Sequence, residues 1–345
     1  MSRPRMVDVA RLAGVSQKTV SNVVNDYEHV SPELRARVRR AIEELGYVPN
    51  TTARTLRTGR TGVIALAVPN LSSPYFAELA RYVTEAAEKR GFTILIDQTD
   101  GLEQRERMIA GGLRQRVIDG LIFSPLSMPP ADLAAAAGST PMVLLGEREL
   151  PSSVDHVIID NVRAAREATE HLLELGRRRI AALGGPVDRP TGTGTLRMAG
   201  YRAALADAGL ADHAVVVPTT RLLRQSGAEA VRHLVDAGPL PDALFCFSDL
   251  MAIGAMHALR LRGIRVPDDV AVVGFDDIEE ASYSNPTLTT VRPAKDDIAD
   301  LAVDLLVGRL EGLRPAEPAQ LVVDHQLIRR ESTGGPPPSL QAAGQ

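Results

Sequence analysis

Residues 8–25, DVARLAGVSQKTVSNVVN, decide how the amino end of this 345-residue chain folds. Apolar residues recur at helical spacing on both sides of Gly14, and Ser16 can cap the helix that begins after it. The first apolar stripe comprises Val9, Leu12 and Ala13, and the second comprises Val20, Val23 and Val24. The stretch therefore predicts two short helices joined by a glycine turn.

The second of these helices carries polar side chains opposite its apolar stripe and near its amino end. They are Gln17, Lys18, Ser21 and Asn22. The second helix of a helix-turn-helix uses such a face to enter the major groove and contact base edges. The pattern indicates this arrangement, while an ordinary helical hairpin remains the alternative.

A third helix follows, with its start at Ser31-Pro32-Glu33 and its end at Gly46. A capping hydroxyl, a proline at the first helical position and a terminal glycine are the usual helix boundaries. Its apolar stripe, which can cover the first two helices, comprises Leu34, Val38, Ile42 and Leu45. Its basic residues, which form either a solvated face or a set of phosphate contacts, are Arg35, Arg37, Arg39 and Arg40.

Charge is distributed unevenly along the chain. Residues 1–60 carry 11 Lys or Arg against 6 Asp or Glu, whereas the remaining residues carry 28 against 37. A basic head on an acidic body indicates nucleic-acid contact at one end only.

No apolar run has the length of a signal peptide or a membrane span, so we expect a cytoplasmic protein with no membrane partner. The single cysteine, Cys246, lies in the apolar run ALFCF; an internal disulfide is excluded, and buried packing is favoured over a reactive thiol.

From Val63 onward, short apolar runs alternate with longer amphipathic stretches. The runs are VIALAV, FTILI, LIFS, MVLL, VIID, IAAL, VVVP, ALFCF and VAVVGF. Strands that are apolar at every position are covered on both faces, and helical crossovers between them imply parallel pairing. Because nine strands exceed a comfortable single sheet, we expect an α/β core of two doubly wound lobes that divide near residues 160–162.

Polar residues follow several of these runs, at the strand ends where ligands of open α/β sheets collect. They are Ser124, Asp160, Ser248, Asp249, Asp276 and Asp277. Each could instead be a helix cap, and for Asp160 and Asp249 the residues alone do not decide between the two interpretations.

Residues 8–25, together with EHVSPELRARVRRAIEELGYVPNTTARTLRTGRTG at 28–62, closely resemble the headpiece and hinge of the LacI/GalR family of bacterial repressors. A looser likeness extends to Glu331. The resemblance implies a helix-turn-helix headpiece at 1–49 and a hinge helix with its linker at 50–61. It also implies a periplasmic-binding-protein-like (type I) core at 62–332.

In the family the chain crosses between lobes three times, with exchanges here expected near 287–291 and 320. The predicted lobe boundaries are about 62–160 and 290–320 for lobe 1, and about 161–289 and 321–332 for lobe 2. The Pro- and Gly-rich end, 333–345, is predicted to be a disordered tail.

The same resemblance implies roles in DNA binding. Gln17, Lys18 and Asn22 would read bases. The DNA backbone would be contacted by Ser16, Thr19 and Ser21. The hinge would bind the minor groove through Asn50, Ala53 and Leu56. By edge chemistry Gln and Asn suit adenine and Lys suits guanine. Many family members carry arginine at the position of Asn22, so their operators do not transfer to this chain.

Effector-site motifs of the family also have counterparts here. GTLRMAGYRAAL places Arg197 at an effector-binding arginine, VVGFDD places Asp276 at an effector-binding aspartate, and SPYFAEL places Tyr75 and Phe76 at the pocket entrance. With Ser124, Ser248 and Asp249 at strand ends, these residues suit a polar ligand such as a sugar or glycoside. Nucleobases are the exception that the family admits.

The resulting prediction is a transcriptional repressor that binds a pseudo-palindromic operator as a homodimer, under effector control of either sign. Two alternative classes are a transported-solute binding protein and an α/β enzyme that acts on a sugar. A solute-binding protein would lack the basic headpiece, and a sugar-acting enzyme would need a base and nucleophile pair. No GxSxG, GxGxxG or GxxxxGK[ST] motif occurs, and the seven histidines form no HxxxH cluster, so we expect no cofactor, no metal site and no catalytic residues.

Overall fold

The computed structural model describes residues 4–24, 27, 29–47, 60–111, 117–138, 140–146, 153–185, 192–315 and 317–336. The chain separates into two compact units, 1–61 and 62–345. The predicted hinge residues Asn50, Ala53 and Leu56 lie outside the described residues.

The first unit contains α1 (Met6–Ala13), α2 (Gln17–Val24) and α3 (Pro32–Leu45). Gly14 and Gly46 end α1 and α3 in the left-handed conformation, with φ of 61° and 59°, which glycine adopts without steric cost. The core of the unit comprises Val9, Ala10, Ala13, Val20, Val23, Val38, Ala41 and Tyr47. Leu12 was predicted to join this stripe, but 46% of it is exposed and Ala10 takes the inward position instead.

The second unit is built on two sheets, each with six strands among the described residues. The first sheet comprises β1 (Val63–Val68), β2 (Thr93–Gln98), β3 (Gly120–Phe123), β4 (Met142–Leu145), β5 (Asp155–Ile159) and β11 (Gln320–Val323). The second comprises β6 (Ile180–Leu183), β7 (Val215–Val217), β8 (Ala243–Cys246), β9 (Ala271–Phe275), β10 (Thr289–Pro293) and β12 (His325–Ile328). The strand orders are β11-β5-β4-β3-β1-β2 and β12-β10-β9-β8-β6-β7. All pairs are parallel except β10 with β12, which confirms the two doubly wound lobes.

Helices connect and cover these strands. They are α4 (Pro74–Lys89), α5 (Glu103–Ala110), α6 (Pro130–Ala137), α7 (Asn161–Glu174), α8 (Thr193–Asp207), α9 (Arg224–Ala237), α10 (Asp249–Leu261), α11 (Glu279–Tyr283) and α12 (Lys295–Glu311). Of these, α12 is buried along Ile298, Val303 and Leu306 and packs against α4 and the first sheet. The core of each lobe therefore lies between its sheet and its flanking helices.

All nine strands predicted from apolar runs are present, whereas β10, β11 and β12 were not predicted. The missed strands contain polar residues: β10 reads TTVRP, and β11 and β12 begin with Gln320 and His325. Strands β11 and β12 lie at sheet edges and are only partly covered, so continuous hydrophobicity does not mark them. Strand β10 is buried, but it begins with Thr289 and Thr290, whose hydroxyls form hydrogen bonds within lobe 2.

The lobes exchange chain at slightly different places from those predicted. Strand β10, 289–293, pairs with β9 in the second sheet, so the crossing follows Pro293 and does not fall within 287–291. Strand β11, 320–323, pairs with β5 in the first sheet, so the return crossing is at Asp324 and not at 320. We use lobe 1 for 62–160 and 294–323, and lobe 2 for 161–293 and 325–336.

The carboxyl end of lobe 2 is ordered beyond the predicted tail boundary at 333. Residues Glu331–Thr333 form a 3-10 helix, and Thr333 is buried. Its hydroxyl lies 2.8 Å from that of Thr289 and 3.0 Å from Nε2 of His171. Residues 333–336 are therefore placed with lobe 2, and residues 337–345 of the predicted tail lie outside the described part of the chain.

Within the described ranges, no helix combines the length and apolar character needed to cross a bilayer. Nor do His, Cys, Asp and Glu side chains of those ranges gather into a group that could hold a metal ion. Cys246 is fully buried, and that burial raises the pKa of its thiol, in keeping with a packing role.

Candidate nucleic-acid interface and effector site

Helix α2 begins with a hydroxyl cap. Oγ of Ser16 accepts a hydrogen bond from N of Thr19 at 3.1 Å and lies 3.0 Å from the Thr19 hydroxyl. Such a cap satisfies one of the amide groups that a helix leaves unpaired at its start. The cap fixes where α2 begins and therefore which residues stand at its amino end.

The predicted base-reading residues differ in exposure. Gln17 and Lys18 are exposed on the first turn of α2, whereas Ser21 and Asn22 are half-buried. The Asn22 carbonyl also accepts from N of Tyr27 at 2.9 Å. All of them lie away from Val20 and Val23, which face the core. The exposed amino end of α2 thus has the side chains that an element entering a groove requires.

Basic groups of α3 surround the same unit. Arg37, Arg39 and Arg40 are exposed, and Arg35 donates from Nη2 to the carbonyl of Tyr27 at 2.9 Å. The Arg35 contact holds the segment between α2 and α3. Exposed guanidinium groups beside a helix-turn-helix are suited to phosphate contact, which orients a protein on DNA without reading sequence.

In lobe 2, Arg197 of α8 is the centre of a buried polar cluster. Nε donates to Oδ1 of Asn161 at 2.8 Å, Nη1 donates to the carbonyl of Phe247, and the guanidinium lies 3.4 Å from the centroid of the Phe275 ring. Nη2 is 3.8 Å from Oδ1 of Asp276. The side chain is therefore locked in one orientation, as a preformed ligand site requires.

Asp276 lies in an unusual turn at the carboxyl end of β9. Its φ is 116° and that of Asp277 is 44°, a conformation that costs non-glycine residues of the order of 1–3 kcal/mol each. The backbone amide of Asp276 donates to the carbonyl of Val291 at 2.9 Å, and Arg330 lies 2.8 Å from the Asp277 carboxylate. Such backbone strain persists where several surrounding contacts fix the conformation. Here these contacts hold the turn so that the Asp276 carboxylate lies beside Arg197.

Of the other predicted lobe 2 residues, Asp249 contacts the residue that follows this turn, whereas Ser248 caps a helix. Ser248 caps α10 by accepting from N of Met251 at 3.2 Å. Asp249 is fully buried and accepts from N of Ile278 at 2.9 Å and from the Thr290 hydroxyl at 2.5 Å. Both of its oxygens are therefore engaged within the protein. This geometry favours a positioning role for Asp249 over direct ligand contact.

Gly274 explains how the Asp249 carboxylate fits beneath the strand. A Cβ at this position would lie 2.2 Å from Oδ1 of Asp249, so only glycine leaves space for the acid. Burial, followed by repulsion from Asp276, raises the pKa of Asp249 well above its usual range, although hydrogen bonds from Thr290 and Ile278 oppose the rise.

In lobe 1, the predicted aromatic residues Tyr75 and Phe76 lie in the first turn of α4. The rings of Tyr75 and Phe76 pack edge to face with centroids 5.2 Å apart. Lys295 lies 5.9 Å from the centroid of the Tyr75 ring and also donates to the carbonyl of Asp276 at 3.0 Å. Because one ammonium reaches both, Tyr75 and the Asp276 turn face the same space, which we call the cleft.

Ser124 is buried at the carboxyl end of β3, on the strand-end edge of lobe 1. Its amide donates to the carbonyl of Ala67 at 3.0 Å, and its described contacts remain within lobe 1. The structure therefore places Ser124 on the predicted edge of lobe 1.

The loop after Ser124 is held by a carboxylate that the sequence did not single out. Glu106 of α5 is completely buried and accepts from the amides of Leu126, Ser127 and Met128 at 2.7, 2.9 and 2.6 Å. Hydrogen bonds from several backbone amides to one carboxylate are charge-assisted, and they stabilise the conformation of the loop. Glu106 thus positions the strand-end edge of lobe 1.

Two further polar residues of lobe 2 were not predicted as site residues. Nδ2 of Asn161 and Oγ1 of Thr195 are buried without a hydrogen-bond partner among the described residues. Asn161 follows Asp160 at the end of strand β5, and Thr195 lies in the GTLRMAGYRAAL motif. Buried polar atoms are normally paired. Because Oδ1 of Asn161 accepts from Arg197, the unpartnered Nδ2 of the same amide lies near the guanidinium, where a polar ligand could accept from it.

A separate cavity lies at the opposite, amino end of the lobe 1 strands, lined in part by Met142, Asp155 and Arg309. Arg309 donates to Asp155 from Nε at 2.6 Å and from Nη2 at 2.9 Å, and to the carbonyls of Pro315 and Glu317. Because its donors are already engaged, this cavity offers a ligand little polar recognition. The buried cluster in the cleft is the better candidate.

Comparisons with known proteins identify relatives of both parts of the chain. Residues 5–50 match the bacterial regulatory proteins of the lacI family, and residues 169–333 match a periplasmic binding protein-like domain. The chain is 38% identical to the HTH-type transcriptional regulator CelR of Thermobifida fusca over 344 residues, which cover 96% of this chain and 98% of that protein.

Solved structures show the same architecture. A complex of the transcriptional regulator CelR with cellobiose has a TM-score of 0.70 at 37% identity and covers 96% of this chain and 100% of its own. The lac repressor dimer bound to operator and the anti-inducer ONPF has a TM-score of 0.81 at 27% identity and covers 96% and 99%. Together with the helix-turn-helix unit and the two parallel-sheet lobes, these matches show that the chain belongs to the lacI family of DNA-binding transcriptional regulators.

Proposed function

We propose that the protein is a repressor that binds a pseudo-palindromic operator as a homodimer and responds to a sugar or glycoside bound in the cleft. The observation that carries the effector part is the Arg197–Asp276 pair with the unpartnered Nδ2 of Asn161 beside it. A guanidinium and an amide donate to hydroxyl oxygens, and a carboxylate accepts hydroxyl protons, so the set matches a polyhydroxylated ligand.

Tyr75 and Phe76 complete the effector site from lobe 1. An aromatic face covers the apolar side of a sugar ring, while the polar set of lobe 2 binds its hydroxyl groups. The similarity to the CelR–cellobiose complex makes cellobiose the first ligand to test. Ser124, Ser248 and Asp249 then act mainly by holding the edges of the cleft.

For the DNA part, α2 enters the major groove. Gln17, Lys18 and Asn22 read bases, and Ser16, Thr19 and Ser21 bind the backbone. Each well-formed side chain–base pair contributes about 1–3 kcal/mol of discrimination. Asn50, Ala53 and Leu56 belong to a hinge that folds on the operator, where the apolar Leu56 side chain wedges between base steps of the minor groove. The similarity to the operator-bound lac repressor dimer supports this arrangement.

One set of experiments tests both the DNA-binding unit and the effector site in the cleft. Selection from random duplexes at moderate salt, with and without cellobiose, should enrich a symmetric consensus. A thermal-shift screen of cellobiose, other sugars and nucleosides should raise the melting temperature for a ligand that binds only the native state. Repeating the thermal-shift measurement with a ligand that binds, in the presence of operator DNA, shows whether that ligand weakens or strengthens operator binding. Failure to enrich any symmetric sequence would overturn the DNA part.

A further inference from the structure

Lys295 occupies the point at which the chain passes from lobe 2 into lobe 1. It is the first residue of α12, and only 7% of it is exposed. Its ammonium donates to the Glu78 carboxylate, to the carbonyl of Asp276 at 3.0 Å and to that of Asp277 at 2.9 Å. Since an ammonium has three protons, these acceptors use its whole capacity.

The two carbonyls belong to the strained turn that aims Asp276 at Arg197. Both residues have positive φ, and neither is glycine. Binding two consecutive carbonyls to one buried cation stabilises the turn in this conformation, because the charge strengthens both hydrogen bonds. Lys295 therefore acts on the effector site through the backbone of Asp276.

Glu78 provides a second connection between the lobes. It lies on α4 of lobe 1, and its side chain is 24% exposed. Besides the Lys295 ammonium, it accepts from the backbone amide of Glu279 at 3.0 Å, at the start of α11 in lobe 2. One carboxylate thus holds both the start of α11 and, through Lys295, the turn that precedes it.

We propose that Glu78 and Lys295 form a latch that holds the Asp276–Asp277 turn in its ligand-binding conformation and ties that conformation to the arrangement of the lobes in this structure. The inference deepens the proposed effector function. A ligand that orders the turn favours the latched state, and a change that opens the latch lowers affinity for the ligand. Such reciprocity follows from linkage between the two equilibria.

The chain offers a matched control on the same helix. Glu85 of α4 forms an exposed pair with Arg81 at 2.7 Å, which lies within α4 and joins nothing across the lobes. Glu78→Gln and Glu85→Gln therefore make the same chemical change, each removing one ion pair. Only the first removes a connection to lobe 2.

The first measurement needs neither ligand nor DNA. Hydrogen–deuterium exchange of the full-length protein reports the Glu279 amide and its neighbours in peptides that cover 276–283. We expect Glu78→Gln to accelerate exchange there about tenfold, equivalent to about 1.4 kcal/mol, with Glu85→Gln unchanged from the parent. Equal exchange in the two variants would overturn the latch.

A second measurement reads the distance between the lobes directly. Because the single cysteine, Cys246, is buried, spin labels at Glu88→Cys and Gln225→Cys report one lobe each. Glu78→Gln should broaden the distance distribution and Lys295→Gln should broaden it similarly, whereas Glu85→Gln should not. An unchanged distribution in both latch variants would contradict the proposal.

Titration with cellobiose separates the latch from the proposed effector. If cellobiose binds, Glu78→Gln should weaken its affinity about tenfold and Glu85→Gln should leave it unchanged; equal affinities would remove the link to ligand binding. If no ligand in the screen binds the parent, the proposed effector function fails, and the exchange and distance results still decide the latch.

Discussion

The two lobes present different kinds of side chain at the cleft. Lobe 2 contributes charged and amide groups that are buried and fixed, with Arg197 held by Asn161 and stacked on Phe275. Lobe 1 contributes the Tyr75 and Phe76 rings and a loop pinned by Glu106. We therefore expect lobe 2 to provide the directional hydrogen bonds to the ligand and lobe 1 mainly to cover it. Substitutions in each lobe can test this division and the contacts that hold each side of the cleft.

The largest effect is expected where lobe 2 accepts hydroxyl protons. Asp276→Ala should weaken binding of the effector identified in the screen by about 100-fold or more, because hydrogen bonds to a charged group contribute about 1.5–3 kcal/mol each. Operator binding without ligand should be unchanged. Isothermal titration and an operator-binding assay measure the two affinities.

Asp212 provides the control for that change. It is an exposed lobe 2 aspartate in a 3-10 helix, so Asp212→Ala removes the same charge without touching the cleft. If Asp276→Ala binds ligand as well as Asp212→Ala does, directional recognition does not belong to the Asp276 turn.

On the lobe 1 side, the next effect is on stability. Glu106→Ala removes the acceptor of the Leu126, Ser127 and Met128 amides; the Met128 bond is buried and the other two are partly buried, and an unsatisfied buried donor costs about 1–3 kcal/mol. We expect a loss of about 3 kcal/mol in the free energy of unfolding, measured by urea denaturation.

Glu103→Ala is the matched change on the same helix. Glu103 pairs with Arg107 at the exposed surface, so its loss should change the free energy of unfolding by less than about 0.5 kcal/mol. Similar denaturation midpoints for the two variants would mean that the Glu106 carboxylate does not hold the lobe 1 edge.

A smaller effect is expected from the aromatic cover. Tyr75→Ala should weaken ligand binding about tenfold through lost apolar contact, and Tyr75→Phe should retain most of the affinity because the ring remains. Isothermal titration of both variants tests this. A loss in Tyr75→Phe as large as in Tyr75→Ala would show that the hydroxyl, and not the ring, is used, and the division between the lobes would then be less sharp.

How far the sequence predicts these regions depends on the range of the interactions. The headpiece helices follow from local caps and spacing, such as Ser16, Ser31 and Gly46, and the nine buried strands follow from continuous apolar runs. Both signals act within a few residues along the chain. They are therefore visible without the fold.

The polar contacts of the cleft are long-range and depend on topology. Glu106 binds amides 20–22 residues away, and Lys295 pairs with Glu78 across 217 residues. Neither Glu106 nor Lys295 lies in a motif, and Glu78 lies in SPYFAEL, where the aromatic residues and not the acid were singled out. Charged side chains on helices are usually solvated. Arg197 and Asp276 were placed by resemblance to the family, while the buried support that Asp249 gives to the turn required the structure.

The last and smallest effect concerns that support. Because the fold raises the pKa of Asp249 above the unfolded value, folding favours its protonated form. The stabilisation is present below the unfolded pKa and is lost as pH rises through the folded pKa, by up to about 1.4 kcal/mol per pH unit. Asp249→Asn keeps the shape of the side chain, including an oxygen to accept from Ile278, but cannot ionise. Urea denaturation at a series of pH values above 4 should therefore show the variant gaining stability relative to the parent as pH rises. Parallel curves for the two proteins would mean that Asp249 carries the same charge in the folded and unfolded chains, and that the lobe 2 edge does not depend on a buried neutral acid.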